Sequence, residues 1–214
     1  MMHLLLAIHI GSGATALVAS MVAIISAKGK KQHVRAGRVY FLGMLGIFIT
    51  AIPMALVSGN QFLFITAIFS FYLAFAGLRF ARNRTGVAAT VDWIAVLLML
   101  LSGVGLWLLA AVYFIGGNAD FVIPVVFGTV ALALGFRDYR THKNQTAQGP
   151  QRIASHLSNM LGGTIAVITA VLVVNIDMQP SWIIWILPTM NPRIRQSLNI
   201  VGSGNIRTGL KMPG

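Results

Sequence analysis

His3, His9, His33, His142 and His156 are the main reactive side chains of a 214-residue chain that has no cysteine and no glutamate. Imidazole is the commonest metal ligand and an axial ligand of haem, and methionine is another axial ligand. His33, Gly37, Tyr40 and Met44 recur at helical spacing, and so do His156, Met160 and Gly163. Glycine beneath a histidine leaves room for a flat ring. His33 and His156 therefore form a candidate site for a haem (haem b) or a transition metal in a redox role. Met160 and Tyr40 lie on the same faces, and Arg35 and Arg38 are available for propionates or another anionic group.

His9 stands inside an apolar run, where an ionisable group is a functional hypothesis by default. It is a candidate pathway residue of a small-solute or ion transporter or channel, with Met54 and Met99 as possible neighbours. A plainer account treats all three histidines as polar ties to headgroups, carbonyls or neighbouring helices. The chain is then a structural or assembly protein of the membrane. His142 falls in a polar connector and reads as solvated.

Absent residues exclude several chemistries. Without cysteine there is no disulfide, thiolate nucleophile, cysteine-ligated zinc, iron–sulfur cluster or covalently attached haem. The only carboxylates are Asp92, Asp120, Asp138 and Asp177, which excludes most paired-carboxylate catalysis. Asp92 opens a helix, where it caps backbone N–H groups and complements the helix dipole. An ion pair with Arg35 or Arg38 is the alternative.

The elements that position these residues are membrane spans. The chain is 57% hydrophobic and 9% charged, against roughly 25% charged in soluble domains, so a soluble fold is ruled out. Six segments approach the ~20 apolar residues a span requires: Leu4–Ser26, Val39–Ser58, Phe62–Phe80, Asp92–Ile115, Phe121–Phe136 and Ala154–Asn175. Lys and Arg concentrate in alternate connectors, between segments one and two, three and four, and five and six. The positive-inside rule makes these connectors cytoplasmic and places the amino terminus outside. The formal charge of +12 is accounted for by topology and lipid headgroups rather than nucleic acid. Beyond Asn175, a segment from Ser181 to about Ile200 is interrupted by Pro188 and Pro192 but followed by a basic tail. An inside tail requires a seventh crossing; the alternative is six spans plus a re-entrant piece.

The reading is an all-α transmembrane bundle, one domain over residues 1–201, with a disordered cytoplasmic tail at 202–214. Along helix one, His9 lies roughly 20 Å from the depth of His33 and His156, so it shares no metal with them. Small residues recur at Ser12, Ala16 and Ser20 and at Gly162, Ala166 and Ala170. Such rows allow close packing within the monomer or in a homo-oligomer. The partner that is certain on composition is the lipid bilayer; the sequence names no redox or solute partner.

Several stretches carry a family likeness. They are His9-Ile10-x-x-Gly13, His33-x-Arg35-x-Gly37-Arg38-x-Tyr40, His156-Leu157-x-x-Met160-Leu161-Gly162-x-x-Ile165, Ala170-x-x-Val173-Val174-Asn175 and Trp185-Ile186-Leu187-Pro188-Thr189. Together, over about residues 3–192, the chain resembles a family of bacterial multi-span inner-membrane proteins carrying a domain of unknown function. The resemblance implies a helical inner-membrane fold and supports a seventh helix, from which Asn191-Pro192-Arg193 departs. It implies no activity.

Overall fold

The structure is a computed structural model and describes residues 2–190. Its elements are α1 (Met2–Ile25), α2 (Lys31–Ser58), α3 (Gln61–Arg82), α4 (Thr90–Ile115), α5 (Val122–Lys143) and α6 (Gly149–Asn175), then a short α7 (Trp182–Ile186). Short 3-10 turns precede α5 (Ala119–Phe121) and follow α7 (Leu187–Met190). No strand occurs among the described residues. The six long helices, with the 3-10 turn counted into the fifth, are each long and apolar enough to cross a membrane. Large apolar side chains such as Leu4, Ile25, Leu42, Leu56, Leu108 and Ile115 are exposed on their outer faces. Hydrocarbon solvates such a surface; water does not.

Helix ends extend past the predicted segments. α2 starts at Lys31 rather than Val39, α5 runs on to Lys143 rather than Phe136, and α6 starts at Gly149 rather than Ala154. Hydropathy marks the part of a helix inside hydrocarbon, whereas backbone hydrogen bonding continues into the interface, where long cations snorkel. Arg140 lies 4.8 Å from the centre of the Phe136 ring and Lys143 lies 5.8 Å from that of Tyr139, both on the last turns of α5.

α3 is the central helix, packing on α2, α4 and α6. On one side, Phe69, Phe80, Met99, Leu106 and Phe127 form a core with α4 and α5. On the other, Ala16, Tyr40, Met44, Ala74 and Val167 form a core among α1, α2, α3 and α6. α1 and α2 approach closely: a Cβ added at Gly43 would lie 2.9 Å from both the Ala16 Cβ and the Ser12 carbonyl oxygen. The small-residue row Ser12–Ala16–Ser20 thus packs within the monomer.

The α2–α3 turn uses Gly59 at φ 65°, whose N–H closes onto Ala55 and Leu56. Asn60 then caps α3 by accepting from the Leu63 N–H at 3.0 Å. At the opposite end, the three basic connectors converge. Gln148 donates to the Thr85 carbonyl at 3.1 Å, and Arg152 donates to the carbonyls of Phe80 and Ala81 at the α3 terminus. This is the basic end of the bundle.

Of the predicted seventh span, the described residues contain only α7 and its 3-10 turn; the rest of that segment and the predicted tail lie outside them. α7 inserts at the end away from the basic connectors. Trp185 meets Phe62 and Phe127 edge-on at 5.2 and 6.0 Å, and Ser181 donates to Asp120.

Candidate functional site

The two predicted ligand histidines come together at the basic end. His33, on the first turn of α2, places Nδ1 3.0 Å from the Ala23 carbonyl oxygen of α1. His156, two turns into α6, places Nδ1 2.8 Å from the Gly77 carbonyl oxygen of α3. A carbonyl only accepts, so each Nδ1 carries the proton and each Nε2 keeps its lone pair. Metal-ligating histidines are oriented by this same backbone bond. The ring centres are 6.3 Å apart with planes at 85°. Two imidazoles on opposite sides of one metal, with bonds of ~2.0–2.1 Å, give a similar spacing of roughly 6 Å.

Both rings line a cavity of about 60 Å³ together with Tyr40, Met160, Thr164 and Lys28. Tyr40 is 2% exposed, and its hydroxyl makes no hydrogen bond of ordinary geometry. It therefore does not serve as an interfacial anchor. The hydroxyl lies against Gly163, where a Cβ would collide with it. Met160 stands one turn beyond His156, its sulfur 3.2 Å from where a Cβ on Gly77 would be. The faces predicted from spacing, His33–Gly37–Tyr40–Met44 and His156–Met160–Gly163, are thus turned toward one another.

The two arginines are not part of this cavity. Arg35 lines an open groove between α1 and α2 with Lys31 and Gln32, and Arg38 is exposed. Residues two and five apart on a helix project some 160° and 140° from a common reference, so both point away from His33. The cation that does line the cavity is Lys28, whose Nζ donates to the Ala23 and Ile24 carbonyls.

The volume decides which group the donors fit. About 60 Å³ is space for about two waters at ~30 Å³ each, whereas cofactor pockets run to ~300–1,000 Å³. A haem macrocycle does not fit; an ion does. Among the described residues no group of three or more His, Cys, Asp or Glu side chains could hold a metal. The donors here are two imidazoles, with the Met160 thioether and the Tyr40 phenol beside them.

A second polar cluster lies at the same end. Asp138 of α5 is fully buried, and its Oδ2 accepts from the Tyr72 hydroxyl at 2.8 Å and from Asn159 at 3.1 Å. Its Oδ1 accepts from Arg137 at 2.9 and 3.0 Å. Asp92 pairs in a bidentate manner with Arg79, at 2.6 and 2.7 Å, rather than with Arg35 or Arg38. It also caps α4 by accepting from the Ala89 N–H at 2.8 Å. His142 is buried, not solvated: its ring stacks on Phe80 at 5.1 Å and meets Trp93 at 5.8 Å. The signal that could have located Asp138 and His142 was the aromatic and basic run Phe136–Lys143, which continues the helix.

His9 is remote from both clusters. It sits fourteen residues before Ala23 along α1, roughly 21 Å at 1.5 Å per residue. Its Nδ1 is 2.9 Å from the Thr50 hydroxyl, and it lines a cavity of about 320 Å³ with Met54 but without Met99, which is buried elsewhere. The core of Ala16, Met44, Ala74 and Val167 lies between this cavity and the basic end. Comparison with protein-family models, with curated proteins and with solved structures finds no match.

Proposed function

We propose that the chain is a multi-span protein of the bacterial cytoplasmic membrane that holds one soft transition-metal ion, copper(I) by donor type, at its cytoplasmic end. The observation that carries this reading is the histidine pair: Nδ1 of each ring is tied to a backbone carbonyl, and both rings line one ion-sized cavity. Thioether donors select copper(I), and imidazole suits copper as well. The buried Tyr40 hydroxyl gives the cavity one further polar group. Gathering of the basic connectors at one end supports an outside amino terminus. The short packed α7 supports six full spans followed by an inserted segment. The transport reading of His9 has less support, because an apolar core separates its cavity from the basic end.

The test is metal retention by detergent-purified protein loaded with copper(I) and challenged with a copper(I) chelator, with visible spectra before and after dithionite. One copper per chain is expected. His33→Ala and His156→Ala should each weaken retention by more than about tenfold. A folded wild-type protein that keeps no copper overturns the proposal. A Soret band that vanishes in the two histidine variants replaces it with the haem reading.

A further inference from the structure

We infer that the cavity at the end away from the basic connectors binds a small membrane-dissolved alcohol or phenol: an apolar body with a single hydroxyl. The cavity holds about 320 Å³ among α1, α2, α3 and α6, with Phe127 and Trp185 closing it. That is the low end of the ~300–1,000 Å³ typical of small-molecule sites. Its wall is mostly apolar, and a few polar groups converge on it.

Those polar groups are set apart by what they do not bond. Thr15, Thr50, Thr129, Thr141 and Thr164 each donate to the carbonyl four residues earlier on their own helix. Helical threonines commonly satisfy themselves this way. Thr66 of α3 and Thr169 of α6 line the cavity, and their buried hydroxyls have no hydrogen-bond partner. Thr169 is 1% exposed, so water outside the bundle does not serve it. Burying an unpaired hydroxyl is unfavourable, and a ligand hydroxyl removes the penalty.

His9 supplies the complementary group. Thr50 donates its proton to the Gly46 carbonyl at 2.7 Å, so it accepts from His9 Nδ1–H. Nε2 is then the acceptor of the ring. A ligand O–H can donate to His9 Nε2 while its oxygen accepts from Thr66 or Thr169. A ketone offers no proton to the imidazole, and a hydrocarbon satisfies none of the three. The exposed residues on the cavity wall are Met2, Leu6, Ser58, Leu63 and Ala170, four of the five apolar, so the ligand enters from hydrocarbon.

The probe is 1-naphthol, with naphthalene as the control lacking the hydroxyl. Binding is measured by equilibrium dialysis on the full chain in lipid nanodiscs, with empty discs subtracted for partitioning. Saturable binding of one 1-naphthol per chain is expected, at least about tenfold tighter than naphthalene. Thr169→Val should weaken 1-naphthol about fivefold or more and leave naphthalene unchanged, and Thr169→Ser should restore it. Ala166→Phe, which fills the cavity, should abolish saturable binding. His33→Ala should leave binding intact, separating this site from the metal site. Absence of saturable binding overturns the inference, as does equal binding of both probes with no response to Thr169→Val.

Discussion

Asp138 is fully buried, and both of its oxygens accept hydrogen bonds. Removing it strands the Tyr72 hydroxyl, which costs about 1–3 kcal/mol when left unpaired, and takes one of two acceptors from the Asn159 amide, which keeps the Ser155 carbonyl. Asp138→Ala should therefore destabilise the bundle by about 3 kcal/mol, read from reversible unfolding in mixed micelles. Tyr72→Phe should lower stability by only about 1 kcal/mol, because the carboxylate retains Asn159 and Arg137. Equal effects from the two variants would show that the cluster contributes little. At the proposed metal site, Met160→Leu keeps the apolar volume and should weaken copper(I) by about tenfold while leaving zinc(II) affinity unchanged. The histidine faces were legible because three- and four-residue spacing fixes which side chains share a side of a helix. The partners of Asp138 and Asp92 were not. Tyr72 and Arg79 belong to α3 and Asn159 to α6, and no local pattern encodes which side of one helix meets another.

Helix–helix distance is where the glycines matter. Gly43 and Gly46 bring the α2 backbone against Ser12 and Ala16 of α1. Gly43→Ala places a methyl group 2.9 Å from backbone atoms and should cost about 1–3 kcal/mol. Gly11 and Gly13 face open space. Their replacement by Ala should be neutral or stabilise α1 by up to about 1 kcal/mol, from helix propensity alone. Thermal unfolding of the three variants compares a packed glycine with two free ones on the same helix pair. If all three behave alike, the close crossing of α1 and α2 is wrong. Existence and order of the helices were legible from hydropathy. Their ends were not, since snorkelling cations let α2, α5 and α6 extend beyond their apolar stretches.

For the molecule as a whole, the gathering of Lys and Arg at one end predicts the sidedness of the bundle. The chain has no cysteine, so single cysteines report without a background. Asn60→Cys and Asn118→Cys, at the turns away from the basic end, should react with a membrane-impermeant maleimide in intact cells. Arg84→Cys and Gln145→Cys should react only after the membrane is opened. The reverse pattern would invert the bundle and place the histidine cavity outside the cytoplasm. The expected sidedness rests on the charge bias of the sequence, and the labelling pattern tests it. The two cavities were not legible, because voids arise where several helices fail to close, and that is a property of their joint packing.

The histidine cavity also has an order of assembly in time. His33 finds the Ala23 carbonyl within its own hairpin, ten residues away, as soon as α1 and α2 are inserted. His156 and Met160 leave the ribosome more than a hundred residues later, a delay of roughly 6–25 s at 5–20 residues per second. At the proposed copper site, an ion would meet only one of the two imidazoles throughout that interval. Capture by both histidines would begin only when the last long helix docks, so the order of the helices along the chain would set the moment of metallation.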